Sequence, residues 1–403
     1  MGMRRSPREL PDDSLRAHCA DSLATLEKNH LLRQMREVES AQGTEIKVAD
    51  RPLLNFASND YLGFAGHPAL AAAATAAIAS FGAGSGASRL VCGNLSPHVA
   101  LEDAIAQLKG TEAALAFSSG YAAALGAIPA LVGRGDVVIL DKLCHACLVD
   151  AARLSGARIR VFHHNDVSHL ESHLEWADSG GTRSLILVES LYSMDGDIAP
   201  LRAIVKAKDQ HNAWLLVDEA HSTGVFGAGG VGLCGQLGLS DRVDIQMGTL
   251  SKALGSSGGF IAGSRQLIDF LINRARSFIF STGPSPAAVA AARAAIGLSA
   301  GPEGDARRAA LWDNIRHAAD AIKPFWPEPP LPESPILPLI IGNESRATSI
   351  ADALRENGIW IPAIRYPTVA RGKARLRLSL SANHTPAQIA ALVKALRSIT
   401  ENA

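Results

Sequence analysis

The chain has no excess of charge of either sign: lysine plus arginine and aspartate plus glutamate stand at 39 each in 403 residues. A surface so balanced offers no basic face to nucleic acid or an anionic membrane, which sets both aside as partners. No apolar run approaches the roughly 18 residues that a membrane-crossing helix needs. Aromatic residues are only 5%, a composition that suits alanine-rich helices lying close on a sheet. The five cysteines, Cys19, Cys92, Cys144, Cys147 and Cys234, are odd in number and scattered. With no apolar leader stretch, a reduced, cytoplasmic setting is expected. Met1-Gly2-Met3-Arg4-Arg5-Ser6 matches an acylation pattern and a twin-arginine pattern only formally, without the context either needs.

What is present is a globular balance, 47% hydrophobic and 19% charged, in a chain long enough for about two to three domains. Residues 1–52 read as a charged N-terminal segment, with a helix predicted from Ser14 to Ser40 on the loose stripe Leu15, Leu23, Leu26, Leu31 and Met35. From 53 to 300, alanine-rich helical stretches alternate with short apolar runs, among them 113–117, 136–140, 158–162, 184–188, 214–217 and 243–247. Strands alternating with helices predict an α/β fold, a mostly parallel central sheet covered on both faces. The proline-rich stretch 324–338 cannot continue a helix. Around it, residues 301–403 read as a small C-terminal α+β domain, with strands expected near 336–341, 358–364 and 374–379 and a helix over 345–357.

The chemistry gathers around Lys252, which follows an apolar run and sits among small residues from Gly248 to Gly259. Small neighbours let a flat ligand approach the backbone, and partial burial lowers an amine's pKa toward nucleophilic use. A second run, Trp214 to Val217, ends in Asp218, with His221 three residues on. In open α/β sheets ligands bind at the carboxyl ends of strands. A lysine to join an aldehyde and an acid for a pyridinium nitrogen are what a pyridoxal phosphate (PLP) enzyme needs. Ser119-Gly120-Tyr121 follows a strand and opens a helix, where free amides and the helix dipole favour a phosphate. His145 also follows a strand and could stack on a flat ring. Glu189 and Ser193 lie in a polar loop after another strand, positioned for hydrogen bonds to cofactor or substrate. Strand alternation places Arg375 and Arg377 on one face, where a guanidinium fork suits a carboxylate.

Other motifs carry less. Cys144-His145-Ala146-Cys147 has no second ligand pair, so no metal site is expected. Gly227-Ala228-Gly229-Gly230-Val231-Gly232 does not directly follow a strand as a dinucleotide site requires, and reads as a flexible active-site loop. His163, His164, His169 and His173 have mixed spacing and read as surface positions.

Seven motifs in order make the chain resemble the α-oxoamine synthases, fold-type I PLP-dependent transferases that join an amino acid to an acyl-CoA with loss of carbon dioxide. They are Asn59-Asp-Tyr-Leu-Gly63, Gly84-Ser-Gly-Ala-Ser-Arg-Leu-Val91, Ser119-Gly-Tyr121, Ser193-Met-Asp-Gly-Asp197, Val217-Asp-Glu-Ala-His-Ser-Thr-Gly224, Gly248-Thr-Leu-Ser-Lys-Ala-Leu-Gly255 and Arg375-Leu-Arg377. The resemblance runs from about residue 50 to 395. Ala363-Ile-Arg-Tyr-Pro-Thr-Val369 and Phe162-His-His-Asn-Asp166 are nearest to the branch that condenses L-alanine with a pimeloyl thioester in biotin synthesis. Tyr366 and Ala370 stand where that branch has prolines, and the aminolevulinate branch shares Tyr-Pro-Thr-Val. Ala124 replaces a family asparagine.

The resemblance implies that Lys252 binds the PLP aldehyde, Asp218 the ring nitrogen, and His221 and Ser193 the phenolic oxygen. His145 would stack on the ring, and Gly120, Tyr121 and Thr249 would hold the phosphate. Lys252, His145, Asp218 and His221 are thus the expected catalytic group. Arg377 matches the amino acid carboxylate site, with Asn59, Arg36 and Arg365 expected toward the substrates. Ser281 and Thr282 match a stretch that reaches the phosphate of a second subunit, so a homodimer with shared sites is implied. The glycine C-acetyltransferase, 5-aminolevulinate, serine palmitoyltransferase and autoinducer branches share this chemistry. A non-catalytic scaffold subunit of the same fold is expected to lack the lysine.

Overall fold

A computed structural model describes residues 15–29 and 31–401; the acylation and twin-arginine patterns lie outside them. Thirteen strands occur among the described residues: β1 (Glu45–Val48), β2 (Arg51–Asn55), β3 (Ala113–Phe117), β4 (Val137–Asp141), β5 (Arg158–Phe162), β6 (Ser184–Glu189), β7 (Trp214–Asp218), β8 (Ile245–Thr249), β9 (Gly259–Gly263), β10 (Ile336–Gly342), β11 (Ile359–Trp360), β12 (Ala363–Ile364) and β13 (Ala374–Ser379). Seven form the central sheet in the order β3-β9-β8-β7-β6-β4-β5. Neighbours from β8 through β5 run parallel, while β9 is antiparallel to both β3 and β8. The α/β class and the mostly parallel sheet therefore hold.

Both faces of this sheet are covered, because successive strand residues point to opposite sides. Ile139, Ile186, Val188, Leu215 and Val217 enter one core, and Val138, Leu140, Leu185, Leu187 and Leu216 enter the other. Truncating one of these, Leu187→Ala for example, removes about 2–5 kcal/mol of stability. Since β3, β4, β6, β7 and β8 share one direction, Phe117, Asp141, Glu189, Asp218 and Thr249 all end on the same edge.

Two three-stranded sheets complete the architecture, ordered β10-β13-β12 and β1-β2-β11. The single strand expected at 358–364 is instead two. β11 pairs with β2 and β12 with β13, and Pro362, which lacks an amide, falls in the break. The helix expected from Ser14 to Ser40 is Leu15–Lys28. Asn29 ends it, its amide and its side chain both donating to the Thr25 carbonyl, at 3.2 and 2.8 Å. Leu15, Leu23 and Leu26 on this helix stay exposed. The strand β9 went unforeseen, because Phe260-Ile-Ala between glycines is too short a run to show a period.

Candidate active site

Glu189 and Asp218 are paired in register at the ends of β6 and β7, so two carboxylates lie side by side. Asp218 is 5% exposed and accepts the Ala220 amide at 2.9 Å. Glu189 is 2% exposed and accepts the His145 amide at 2.6 Å. Burial, then repulsion from Asp218, pushes Glu189 up to about 8, against the pull of Lys252. Burial likewise raises Asp218, with Lys252 opposing it most. Lys252 is brought down to about 8 by burial, while Asp218 and Glu189 pull it back up. The result is an amine that gives up its proton far more readily than a free lysine, with an appreciable unprotonated fraction already near neutral pH, facing two acids.

The nearest partner of that amine is not an acid. Lys252 Nζ lies 2.7 Å from His221 Nε2, and His221 Nδ1 lies 2.7 Å from the Tyr61 hydroxyl. Burial drives His221 well below its ordinary value, with Lys252 and Arg377 adding to the effect, so the imidazole is neutral. Arg377, 5% exposed on β13, donates through Nε to the Ser193 carbonyl at 2.6 Å and through Nη1 to Asn59 at 3.0 Å. Lys252, His221, Asn59 and Arg377 are therefore one hydrogen-bonded group. Tyr61 is the member to which sequence reasoning gave no role, although it stands inside the motif Asn59-Asp-Tyr-Leu-Gly63. Its spacing two residues after Asn59 was the available signal. Arg375, on the same strand face, is taken by Asp195 at 2.6 Å and the Met194 carbonyl at 3.1 Å, so it holds the loop rather than a ligand.

His145 opens the helix Ala146–Ser155, and its Nδ1 accepts the Cys147 amide at 3.2 Å. The residue as a whole is exposed, and the imidazole is lowered mainly by the partial burial of its ring, with Asp218 opposing. Cys144 and Cys147 are free thiols, and among the described residues no metal-binding cluster occurs.

At the start of the helix Gly120–Leu131, Ser119 Oγ accepts the Ala122 amide at 3.0 Å, which leaves the Gly120 and Tyr121 amides for an anion. A Cβ on Gly120 would sit 3.8 Å from Thr249 Cβ, and one on Gly259 would fall 2.3 Å from the Gly120 nitrogen. The anion seat and the strands flanking Lys252 are thus in van der Waals contact, and at position 259 only glycine permits it. Thr249 Oγ1 donates to the Gly258 carbonyl at 2.8 Å, bracing the loop.

Other expected positions lie apart. Arg36 and Arg365 line a separate cavity of about 630 Å³ with Arg33, Arg355 and Thr368. Thr282 is exposed and bridged to Ser88, with no hydrogen bond to the Lys252 group within the chain. His164 is not a plain surface residue: its ring nitrogens lie 2.9 and 2.7 Å from Asp141 and Asp197. Burial opposes its charge, but these two bonds outweigh it and raise His164 to about 10. The glycine-rich stretch 227–232 is packed rather than loose, since a Cβ on Gly232 would strike the Glu219 carboxylate at 2.7 Å.

An aminotransferase class I and II family profile matches residues 51–396. An 8-amino-7-oxononanoate synthase from Geobacter sulfurreducens is 45% identical over 94% of this chain and 97% of its own. One from Chromobacterium violaceum is 46% identical over 92% and 95%. Among solved structures, a serine palmitoyltransferase from S. paucimobilis superposes with a TM-score of 0.91 at 30% identity, covering 97% of this chain and 99% of that one. An 8-amino-7-oxononanoate synthase from Francisella tularensis gives 0.73 at 28%, over 87% and 97%. The chain belongs to the aminotransferase class I and II family, among its α-oxoamine synthases. As an α-oxoamine synthase it is a PLP-dependent acyltransferase. The donor set fits that cofactor: a depressed amine, a buried acid, an exposed imidazole and free amides at a helix start. Among the described residues no helix is long and apolar enough to cross a membrane.

Proposed function

We propose that the chain catalyses the decarboxylative condensation of L-alanine with pimeloyl-CoA, giving 8-amino-7-oxononanoate, CoA and carbon dioxide for biotin synthesis, in the cytoplasm. The relatives at 44–46% identity over nearly the whole length carry the choice of substrates. The single structural observation behind the chemistry is the Lys252 amine, against neutral His221 and facing Asp218 and Glu189.

Bound here, PLP supplies an electrophilic aldehyde and a protonated ring that accepts an electron pair from the amino acid's Cα. Asp218 would hold the proton on the ring nitrogen, His145 would cover the ring face, and His221 and Ser193 would meet the phenolic oxygen. The Gly120 and Tyr121 amides would take the phosphate, joined by the Thr249 hydroxyl once it turns from the Gly258 carbonyl. Lys252 removes the Cα proton and later returns one, a task for which an amine near pH 8 is suited. Arg377 and Asn59 orient the amino acid through its carboxylate, the group that leaves as carbon dioxide. Arg36 and Arg365 face the acyl substrate from their cavity, where the far carboxylate of a pimeloyl chain suits an arginine fork.

Two copies share their sites in this reading, with Thr282 of each reaching the other's phosphate. The exposed Leu90, Val91 and Phe280 support such a pairing, because they flank the Ser88–Thr282 bridge. The division into an N-terminal segment 1–52, a PLP-binding domain 53–300 and a small domain 301–403 belongs to the same proposal. It is supported by the helix Pro286–Ala300 ending just before the helix Pro302–Ile322.

The test is a panel of L-alanine, glycine and L-serine against pimeloyl-, acetyl-, succinyl- and palmitoyl-CoA, with free thiol followed. Release confined to alanine with pimeloyl-CoA is expected. Preference for glycine with a short acyl group, or for serine with palmitoyl-CoA, overturns the substrate assignment and leaves Lys252 in its role.

A further inference from the structure

Tyr61 is 0% exposed, and its hydroxyl lies among three polar neighbours. His221 Nδ1 is at 2.7 Å, Asn59 Oδ1 at 3.1 Å, and Arg377 Nη2 at 3.4 Å. The arginine can only donate, so Asn59 must turn its oxygen toward Arg377 Nη1 and toward the phenol. The phenol has one proton to place, on Asn59 or on His221. The neutral imidazole also carries one proton, on Nδ1 toward Tyr61 or on Nε2 toward Lys252.

These choices are linked. When Lys252 is an ammonium it donates to Nε2. The ring proton then sits on Nδ1 and is donated to the Tyr61 oxygen, whose own proton goes to Asn59. When Lys252 is an amine, its lone pair accepts from Nε2–H. Tyr61 then donates to Nδ1, and Asn59 keeps its bond from Arg377. The two arrangements differ by the proton that leaves Nζ; the ring and the phenol keep one each. We infer that Tyr61 is a positioning residue that sets the tautomer of His221 and so ties it to the protonation state of Lys252.

The surroundings favour the arrangement. Burial raises the Tyr61 phenol against the opposing Arg377 guanidinium, so it stays protonated. Asp218, Glu189, Arg377 and Cys147 also act on Lys252, and Lys252, Arg377 and His145 act on His221. None of them reaches Nδ1, the ring atom that Tyr61 holds. Without the phenol, an ammonium at Lys252 would force a buried Nδ1–H with no acceptor, whereas an amine leaves the ring free to choose its tautomer. The charged form is therefore the one that loses support.

The inference deepens the proposed function and rests on Lys252 as its reactive amine, yet it can be tested without cofactor. In the PLP-free full chain, ¹⁵N-histidine NMR, with His221 assigned by its loss in His221→Gln, follows the ring across the Lys252 titration. A change from Nδ1–H on the acid side to Nε2–H on the basic side is expected. A ring that keeps one tautomer throughout overturns the inference. In Tyr61→Phe the midpoint for development of the visible colour on adding PLP, which needs the free amine, should move about one unit toward acid, a tenfold loss of proton affinity. A Tyr61→Phe chain with wild-type thermal unfolding and an unmoved midpoint also overturns it.

Discussion

Lys109 and Lys252 are both withdrawn from solvent, yet only one has a carboxylate against its amine. Lys109 ends the helix Ser96–Lys109 and is fully buried with Glu219, bonded to that carboxylate and to the Val231 carbonyl. Glu219 also accepts the Ser222 hydroxyl at 2.9 Å and the Cys234 amide at 2.8 Å. Both carboxylate oxygens are thus bonded and the ammonium has two acceptors, the kind of support a buried ion pair requires. Lys252 is only partly buried and touches a neutral imidazole, while its acids act from further off. The first arrangement keeps a charge in place and ties the glycine-rich stretch 227–232 to the sheet. The second lets the charge come and go. Proximity to an acid, more than depth of burial, separates a structural lysine from a reactive one here.

Exchanging the roles would break this contrast, and the largest effect is expected at Lys252. Lys252→Ala should lower the condensation rate by about 10⁴-fold, the upper end for a positioned acid–base group, with thermal unfolding close to wild type. Lys109→Met should do the reverse. Stranding Glu219 costs about 3–5 kcal/mol of stability, read as a lower urea midpoint. A stable Lys109→Met chain, or an unfolded Lys252→Ala chain, would undo the distinction.

Arg377→Lys sharpens it at the substrate end. Loss of the guanidinium fork should raise the KM for the amino acid roughly 10- to 100-fold, the worth of a charged hydrogen bond of about 1.5–3 kcal/mol, with the KM for the acyl-CoA little changed. The effect that is smallest per step is in stability against pH. Lys252 falls from 10.5 to about 8 on folding, so between those values the unfolded chain holds a proton that the folded chain has shed. Stability of the PLP-free chain should therefore rise with pH across that window, by at most about 1.4 kcal/mol per unit. Lys252→Ala should lose that rise when urea unfolding is compared at pH 8 and 10.

The sequence made the sheet and most of the site legible because both depend on local pattern. Buried parallel strands read as unbroken apolar runs; Asp218 follows such a run directly, and Lys252, His145 and Ser193 follow theirs within a short loop. What stayed hidden depends on pairing between distant segments. The adjacency of Glu189 and Asp218 is a matter of register between β6 and β7. The role of His164 needed Asp197, 33 residues on, to fold back over it. Tyr61 meets His221 across 160 residues, and no spacing rule spans such a distance. The overlong N-terminal helix is the opposite error: a loose stripe of leucines continued on paper past Asn29, where the backbone turns.

The antiparallel strand β9 has a consequence for how the site is assembled. Asp218, Glu189 and His145 are delivered by crossover connections, each needing a helix to pack before the strand ends can meet. Lys252 rides instead on the hairpin between β8 and β9, whose ends close where Thr249 pairs with Gly259. Closing so short a loop costs little chain entropy compared with a crossover. The reactive residue can thus find its place as soon as two neighbouring strands zip. A residue inserted between 250 and 258 would displace it directly, with no helix in between to absorb the change.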